Sequence, residues 1–536
     1  MLRLPVGFGL LVLYGLSIVA GFLFAISGFM DPDSCWLVRT GQMILSTHSL
    51  PATDPFSFTI PMVSVTGMHQ PFVVYQWLSE VVFAAVFNAF DLRGLLSLCS
   101  VTAAVASLAI IARACLSTMA KPVFCFFIVA LAFGAVAIRL IVRPEIFTLL
   151  ALSLWLLLLK PLMKTSIAAV DRSEPQELDS PSFSKKRCLL LVFLTIVWCN
   201  SHSGFVIGLL LLLGIALGSL LEQLVAKESR QKLVLAQTAK VAVFYLLWCL
   251  VASWINPYGI YLWTYLPHLF FSPFTPLLDE LLPVSAALAS QPIYYAFFLL
   301  AAASITVVLN VLPRVFSGKL CAAGVFRSAM LLLVALGLAV VCRRLVSPLS
   351  LIIAVECCRL FAARRPTATA EAEAVNSFTR LPRSFLFLEL PVAVLSVSSV
   401  LFFADRLVPL TMPQTTDTFQ PPFQAVSYLL DNWHQGNTFS TLQIASLLEM
   451  YGPRQMKQFA DTRIDVYPPM VVRNYINLMS ADSSCPELLR RYDIEWAVLT
   501  PHTNLGAYLA NAPEWEKSYQ DDTSLVFHRK TVVLPR

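Results

Sequence analysis

The chain has 536 residues, of which 57% are hydrophobic and only 13% are charged. A soluble globular protein carries roughly 25% charged residues, so the composition excludes an ordinary soluble enzyme and predicts a polytopic α-helical membrane protein. The formal net charge of +6 does not indicate a nucleic acid partner, because the basic residues cluster in particular loops, as a topology signal does.

The first predicted elements surround a polar segment that follows an apolar N-terminus. Residues 4–29 are longer than a signal-peptide core and lack a small-residue cleavage site, which predicts an uncleaved anchor with a cytoplasmic N-terminus. Residues 31–92 are the predicted first outer loop. Within it, residues 36–47 have the pattern of an amphipathic helix on the membrane surface. Residues 77–90 are predicted to be a short helix that dips in from the outer face, because a span needs about 20 residues.

The remaining apolar stretches predict about 11 transmembrane helices when the first is included. They cover 94–112, 122–138, 145–160, 188–200, 204–221, 241–255, 292–312, 328–342, 345–361 and 384–404. With this arrangement most Lys and Arg residues fall in inner loops, as the positive-inside rule expects. An odd number of spans places the C-terminus outside. Two inner segments, 165–187 and 364–382, are polar and aperiodic, which predicts flexible loops.

The composition changes after residue 404, where charged residues become frequent. We therefore predict a transmembrane domain over 1–404 and a soluble extracytoplasmic α/β domain over 405–536. The predicted helices of this second domain are 421–433, 468–480, 486–491 and 503–511. The predicted strands are 437–442, 458–461, 496–500 and an edge strand over 524–529.

Charged residues of both signs collect at the outer ends of the predicted spans. A reaction between a lipid phosphate and a hydroxyl or amine acceptor needs both signs, because arginines clamp the phosphate and a carboxylate orients the acceptor or removes its proton. The predicted substrate-binding residues are Glu80, Arg139, Arg143, His202, Glu280, Arg343 and Arg344.

Several of the charged residues at the outer ends also have a structural interpretation. Arg139 and Arg143 suit side chains that extend from a helix end towards the interface. Glu145 suits a first-turn residue favoured by the helix dipole. His202 suits a hydrogen-bonded loop histidine, and Asp31 suits a helix cap. The 12 cysteines lie mostly in apolar stretches, and neither a CxxC nor a Cys/His metal spacing is present, so the cysteines predict no metal site.

Short runs along nearly the whole chain carry a resemblance to a known class. They are DPD with Trp36, LPATDPFSFT, WLSE, RPEIFT, NSHSGF, NPYG, LDELLP, DTRIDVY and APEWEKSYQDDTSLVFHR. In their order and spacing the chain resembles a bacterial member of the GT-C superfamily, the membrane glycosyltransferases that use polyprenyl-phosphate sugars. Protein O-mannosyltransferases and aminoarabinose transferases share that architecture.

The resemblance implies roles for three acidic residues. An acid in the first outer loop of these enzymes is the catalytic base or orients the acceptor, which points to Asp33 and, as second choice, Asp31. A second acid in the next outer loop matches Glu145. The chain departs from the pattern at residues 35–37, which are Cys-Trp-Leu rather than Trp-Trp-His, and at residues 75–76, which are Tyr-Gln rather than His-Glu. A divalent metal that those side chains would bind is therefore not implied.

The resemblance implies a glycosyltransferase at the outer face of the bacterial inner membrane. Its expected partners are a polyprenyl-phosphate-linked sugar, membrane lipids and a glycan, lipid or protein acceptor. Two alternatives stay open. One is a transporter or flippase of lipid-linked sugars, although such proteins usually show midplane charges and internal symmetry. The other is a noncatalytic partner in envelope glycan assembly.

Overall fold

The computed structural model describes residues 31–63, 72–114, 122–163, 181–226, 229–270, 279–284, 292–316, 324–362 and 422–530. These residues form two compact units. The helical unit takes its described residues from 96–362, and the sheet-containing unit from 31–95 and 422–530. The predicted spans 4–29 and 384–404, the predicted loop 364–382 and the predicted domain boundary at 404–405 lie outside the described residues.

The described part of the chain is mostly helical. In chain order its helices are α1 (Pro32–Thr47), α2 (Thr59–Val63), α3 (Trp77–Ala114), α4 (Pro122–Ala137), α5 (Glu145–Leu158), α6 (Lys185–Ser201), α7 (Phe205–Val225), α8 (Ser229–Ala252), α9 (Tyr261–Phe270), α10 (Pro292–Phe316), α11 (Val325–Val341), α12 (Val346–Ala362), α13 (Phe423–Asn432), α14 (Leu442–Tyr451), α15 (Pro469–Ser480), α16 (Cys485–Arg491) and α17 (Asn504–Asn511). The strands are β1 (Asn437–Ser440), β2 (Ile494–Leu499), β3 (Trp515–Gln520) and β4 (Leu525–Arg529). Short 3₁₀ turns cover Asp279–Leu281, Arg343–Leu345 and Ile464–Val466.

Within the described residues, the predicted helices of the helical unit are confirmed as helices. Most of them begin and end within a few residues of the predicted bounds. One difference is α8, which begins at Ser229 rather than at 241, because its polar first half still buries Leu235 and Ala239. Another is α9, which was not predicted and which contains Pro267, a residue that disfavours helix interiors.

Three helices of the described residues are long and apolar enough to cross a membrane. They are Phe205–Val225, Gln231–Ala252 and Tyr294–Val315, with 21, 22 and 22 residues. Shorter apolar helices cover Phe127–Ala137, Glu145–Leu158 and Val325–Val341. The length and apolar composition of these helices therefore indicate a membrane-embedded protein. The total of about 11 spans stays a prediction.

Helix α3 is broken at one residue. Asp91 has φ 53° and ψ −156°, a backbone conformation that side-chain-bearing residues rarely adopt. The break separates a first segment, residues 77–90, from the following apolar segment. The predicted short helix over 77–90 is confirmed as a helix that ends at this break, and its entry from the outer face stays a prediction.

The C-terminal residues build the predicted α/β domain around a four-stranded sheet of order β1-β2-β4-β3. Strands β1 and β2 are parallel, and the other neighbours are antiparallel. The predicted edge position of β4 is wrong, because β3 pairs along its outer side. Strand β3 was not predicted, because Trp515 is its only buried residue and the five residues after it are mostly polar, without an alternating apolar pattern. The predicted strand over 458–461 forms only isolated bridges through Gln458.

The first outer loop belongs to the same unit as this sheet. The helix predicted over 36–47 is confirmed as α1, but its apolar face, which includes Leu37, Val38 and Ile44, is buried. Helix α14 packs on it, so this face is covered by protein rather than by lipid. Two main-chain hydrogen bonds link residues 56–58 to Gln458, at 2.9 and 3.1 Å. The unit thus joins segments that are some 400 residues apart in the chain.

Candidate functional site

Charged side chains from separate loops of the helical unit meet in one cluster, which we call the arginine cluster. Its members are Arg139, Arg143, Glu145, His202, Glu280 and Arg344. All six were predicted site residues, and the structure brings them together at the ends of α4, α5, α6 and α12. Their assignment to substrate binding and catalysis stays a prediction.

The local sequence explains how the loop 138–144 presents its two arginines. Pro144 disfavours a helical conformation at Arg143, so α4 cannot run on into α5. A proline also suits the start of a helix, where the missing N–H costs nothing. Helix α5 then begins at Glu145, whose carboxylate lies in the first turn. Arg139 and Arg143 are left on an irregular loop, and both side chains donate to the Glu280 carboxylate.

Two glutamates hold the three guanidinium groups in place. Glu280 accepts from Arg139 Nη2 at 2.6 Å, from Arg143 Nη1 at 2.9 Å and, through its other oxygen, from Arg344 Nη1 at 3.1 Å. Glu145 Oε1 lies 2.9 Å from Arg139 Nη2 and 2.7 Å from Arg344 Nη2. Because each arginine is bound by an acid from a different loop, the guanidinium positions are fixed before any ligand arrives.

The cluster carries a net positive charge. Burial alone would raise the pKa of Glu280, but Arg344, Arg139 and Arg143 outweigh it and lower that pKa to about 2, so the carboxylate is ionised. Burial lowers the pKa of His202 to about 4 against the attraction of Glu145, so the imidazole is neutral. With Glu145 ionised as well, three guanidinium groups face two carboxylates, and one positive charge remains. The side chains of Arg344 and Arg143 are 26% and 19% exposed, which leaves them accessible to an anion.

A second buried charged group lies in the helical unit, on α7, α11 and α12. Arg327 donates to Ser219 at 3.0 Å beside Glu222, and Arg359 pairs with Glu356 at 2.8 Å. Along α7, the first residue, which follows shortly after His202, and Glu222 are about 25 Å apart, at 1.5 Å per residue. That length is close to the roughly 30 Å of a bilayer's hydrocarbon core. The two groups therefore lie at opposite ends of a membrane-length helix.

The two acids of the DPD run lie in the sheet-containing unit. Asp31 is the N-cap of α1, and its side chain accepts from the main-chain N–H of Asp33 at 2.9 Å. Its capping interpretation is therefore confirmed. Asp33 is partly exposed in the first turn of α1 and accepts from Trp36 Nε1 at 3.4 Å. Its role as catalytic base stays a prediction.

Two further predicted residues lie apart from the charge pairs of the cluster. Glu80 is only 1% exposed, because α1 crosses α3 at Gly41, where an added Cβ would lie 2.0 Å from the Glu80 carbonyl. Burial raises the pKa of the Glu80 carboxyl to about 8, against the opposing effects of Arg463 and Gln76. A buried neutral acid fits packing better than contact with a substrate. Arg343 donates from Nε to Pro283 O at 3.2 Å and ties two turns together.

The sheet-containing unit holds a buried ionic group that the sequence did not single out. Arg463, 5% exposed, donates to Asp461 from Nε at 2.9 Å and to Asp54 from Nη1 at 2.7 Å. The Tyr467 hydroxyl donates to Asp461 at 2.6 Å. Burial and the nearby Asp461 raise the pKa of Glu449 well above its usual range, so this acid is neutral.

Aromatic rings complete the surroundings of Arg463. Its guanidinium carbon lies 4.7 Å from the ring centre of Phe56, 5.4 Å from Phe72 and 5.7 Å from Trp36. Such contacts favour a cation over the ring faces. Asp54 and Arg463 stand in the runs LPATDPFSFT and DTRIDVY, which carried the resemblance, but no local spacing links two residues 409 positions apart. In the described residues no group of three His, Cys, Asp or Glu side chains could hold a metal ion.

Comparisons with known proteins give structural neighbours only. No protein-family model and no curated protein sequence matches the chain. One neighbour is the oligosaccharyltransferase AglB from Archaeoglobus fulgidus with an inhibitory peptide and a dolichol-phosphate, with 11% identity, a TM-score of 0.48 and coverage of 91% of this chain and 69% of that one. Another is ArnT from Cupriavidus metallidurans bound to undecaprenyl phosphate, with 10% identity, a TM-score of 0.46 and coverage of 99% and 100%. ArnT from the same organism in the apo state has 11% identity, a TM-score of 0.48 and coverage of 98% of this chain and 98% of that one.

AglB and ArnT are both GT-C glycosyltransferases, the class that the sequence runs resemble. With identities of 10–11% and TM-scores below 0.5, these likenesses carry no argument about chemistry. The arginine cluster, with its charges and distances, is the feature of the molecule that bears on function.

Proposed function

We propose that this chain is a membrane glycosyltransferase of the bacterial inner membrane. It transfers a sugar from a polyprenyl-phosphate donor to a glycan, lipid or protein acceptor at the outer face. The observation that carries the proposal is the arginine cluster, in which three arginines converge with one net positive charge.

The cluster suits a lipid phosphate for two reasons. Guanidinium groups match phosphate oxygens with paired N–H donors, and such charge-assisted hydrogen bonds are roughly twice as strong as neutral ones. The cluster also lies at helix ends rather than within the long apolar helices, a position that suits a headgroup at the membrane edge with its polyprenyl chain among lipids. The sequence resemblance assigns the acceptor chemistry to Asp33 and the role of second acid to Glu145, and both assignments stay predictions.

The distribution of charge also bears on the transporter alternative. Transport sites lie near the bilayer midplane, on interrupted helices. The two charged groups of the helical unit lie near opposite ends of α7, α11 and α12 instead. This arrangement supports chemistry at a membrane face. A transfer assay distinguishes the noncatalytic alternative from the proposed glycosyltransferase. A noncatalytic partner can bind a lipid phosphate, but it does not transfer sugar.

The experiment measures binding of a polyprenyl phosphate to the purified full chain in lipid nanodiscs, followed by sugar transfer from a polyprenyl-phosphate sugar. We expect Arg143→Ala and Arg344→Ala each to weaken binding about tenfold or more, since a hydrogen bond to a charged group contributes about 1.5–3 kcal/mol. Lys at either position restores binding only in part, because it lacks the planar pair of donors. Arg314→Ala, an exposed arginine in the last turn of α10, is the matched control and should bind normally. Undiminished binding in the double Ala variant would show that these arginines only anchor helices.

A further inference from the structure

Glu280 is bound by all three guanidinium groups of the arginine cluster at once. Its Oε2 accepts from Arg139 Nη2 at 2.6 Å and from Arg143 Nη1 at 2.9 Å, and its Oε1 accepts from Arg344 Nη1 at 3.1 Å. These are charge-assisted hydrogen bonds to anionic oxygens, the same kind that a phosphate forms with guanidinium groups. The Glu280 carboxylate therefore has the partners that a lipid phosphate would need.

The second acid of the cluster is placed differently. Glu145 lies in the first turn of α5, its side chain is 8% exposed, and its Oε1 contacts two of the arginines, Arg139 and Arg344. The Glu280 side chain is 23% exposed and extends from a 3₁₀ turn of three residues. Glu145 can thus keep Arg139 and Arg344 in place while Glu280, the more exposed acid, leaves them.

The main chain beside Glu280 is tied to the end of α11. The Val284 N–H donates to Val340 O at 2.8 Å, and the Arg343 N–H donates to Leu282 O at 3.0 Å. These bonds hold the backbone that follows Glu280. An exchange of anions at the arginines therefore takes a rotation of the Glu280 side chain about its own bonds, without movement of the turn.

Two anions cannot share the three arginines without repulsion. With both glutamates ionised, the cluster has one net positive charge, and a phosphate beside the Glu280 carboxylate meets a like charge. When that carboxylate moves away, the three guanidinium groups face Glu145 alone, and two positive charges remain. The arginines therefore attract a phosphate more strongly after Glu280 has left.

We propose that Glu280 is an internal competitor of the lipid phosphate: its carboxylate leaves the three arginines when the donor binds and returns to displace the polyprenyl phosphate product. This inference rests on the proposed function and deepens it, because it describes how the same site exchanges one phosphate for the next.

The charge of the product gives this competition a purpose. Sugar transfer breaks the bond between the anomeric carbon and a phosphate oxygen, which keeps the electron pair, while the acceptor atom binds the sugar and gives its proton to the base. A phosphodiester with a single negative charge thereby becomes a phosphate monoester of about −1.5 to −2 near pH 7. This product is held more tightly by the arginines than the donor is, so its release gains most from a competing carboxylate.

The test measures binding of polyprenyl phosphate to the purified full chain in lipid nanodiscs. If the bound position of Glu280 holds about nine-tenths of the molecules, the observed Kd is about tenfold above that of the vacated site. We therefore expect Glu280→Gln, which removes the competing charge, to bind about tenfold more tightly. Glu280→Asp is the matched variant, because it keeps the charge but is one methylene shorter and cannot keep all three contacts. It should also bind more tightly than the wild type.

A transfer assay gives a second measurement. Both variants should be inhibited more strongly than the wild type by added polyprenyl phosphate, because the product leaves them more slowly. Weaker binding by Glu280→Gln overturns the inference, since Glu280 then only holds the arginines in place. Tighter binding by Glu280→Gln with unchanged binding by Glu280→Asp also overturns it, since the charge then acts without any exchange.

The outcomes separate this inference from the proposed function. If both Glu280 variants bind as the wild type does, while the Arg143→Ala/Arg344→Ala double variant loses binding, the phosphate site stands and the competition by Glu280 is wrong. If the double variant also binds normally, the phosphate site itself is wrong.

Discussion

Arg463→Met offers a direct measure of how firmly the first outer loop is bound to the C-terminal segment. Methionine keeps much of the side-chain volume but removes the guanidinium that pairs with Asp461 and Asp54, whose side chains are 0% and 3% exposed. Removal of one partner from a buried ion pair costs about 3–5 kcal/mol, because the remaining charge is left uncompensated. Here two carboxylates lose the same partner, so we expect the upper part of that range.

The assay is hydrogen exchange of the full chain, read on peptides that cover residues 54–59 and 456–467. Where exchange follows the local opening equilibrium, a loss of about 3–5 kcal/mol corresponds to roughly 150- to 5,000-fold faster exchange. Arg454→Met is the matched control. Arg454 is exposed and donates to Ser46 at 3.2 Å, so it also joins the loop to the tail, but at the surface, where we expect a change below about 0.5 kcal/mol.

The effect also has a predicted pH dependence. Burial raises the pKa of Asp461, but Arg463 outweighs it in the wild type, so the folded pKa lies below 3.8 and the ionised acid stabilises the fold above that value. Without Arg463, burial dominates and the folded pKa lies above the unfolded one, so the variant loses stability as the pH rises. The difference in exchange between variant and wild type should therefore be larger at pH 7.5 than at pH 5. Equal exchange for both proteins at both pH values would refute the reasoning.

Two further predictions concern the reaction and the topology. Asp33→Asn should leave polyprenyl phosphate binding intact and lower sugar transfer by about two orders of magnitude, the size expected for a lost general base, whereas Asp31→Asn should cost less because Asp31 caps α1. Full transfer activity in both variants would remove this loop from the catalytic site. Reporter fusions after Ser229 should report a cytoplasmic location and fusions after Arg406 an extracytoplasmic one, since the inner loops hold most basic residues. A cytoplasmic signal after Arg406 would contradict the eleven-span arrangement.

The sequence by itself determined the positions of most helices in the helical unit, although it did not predict α9 there or α14 in the sheet-containing unit. An apolar run in a membrane protein must form hydrogen bonds within its own backbone, so its length and its polar flanks largely set a helix's bounds. This is why α4, α5 and α7 begin and end close to the predicted residues. The same reasoning placed the arginines at helix ends, because a charge inside an apolar helix is costly.

Tertiary structure decided which of these charges meet. The pairing of Asp54 with Arg463 crosses 409 residues, and the hydrogen bonds of Thr148 with Trp198 and His202 join α5 to the end of α6, so neither leaves a local pattern in the chain. The face of α1 is another such case, since its amphipathic pattern suits lipid and protein equally and only the packing of α14 selects between them. Periodicity fixes which side of an element is apolar, whereas the partner that covers that side depends on contacts between distant segments.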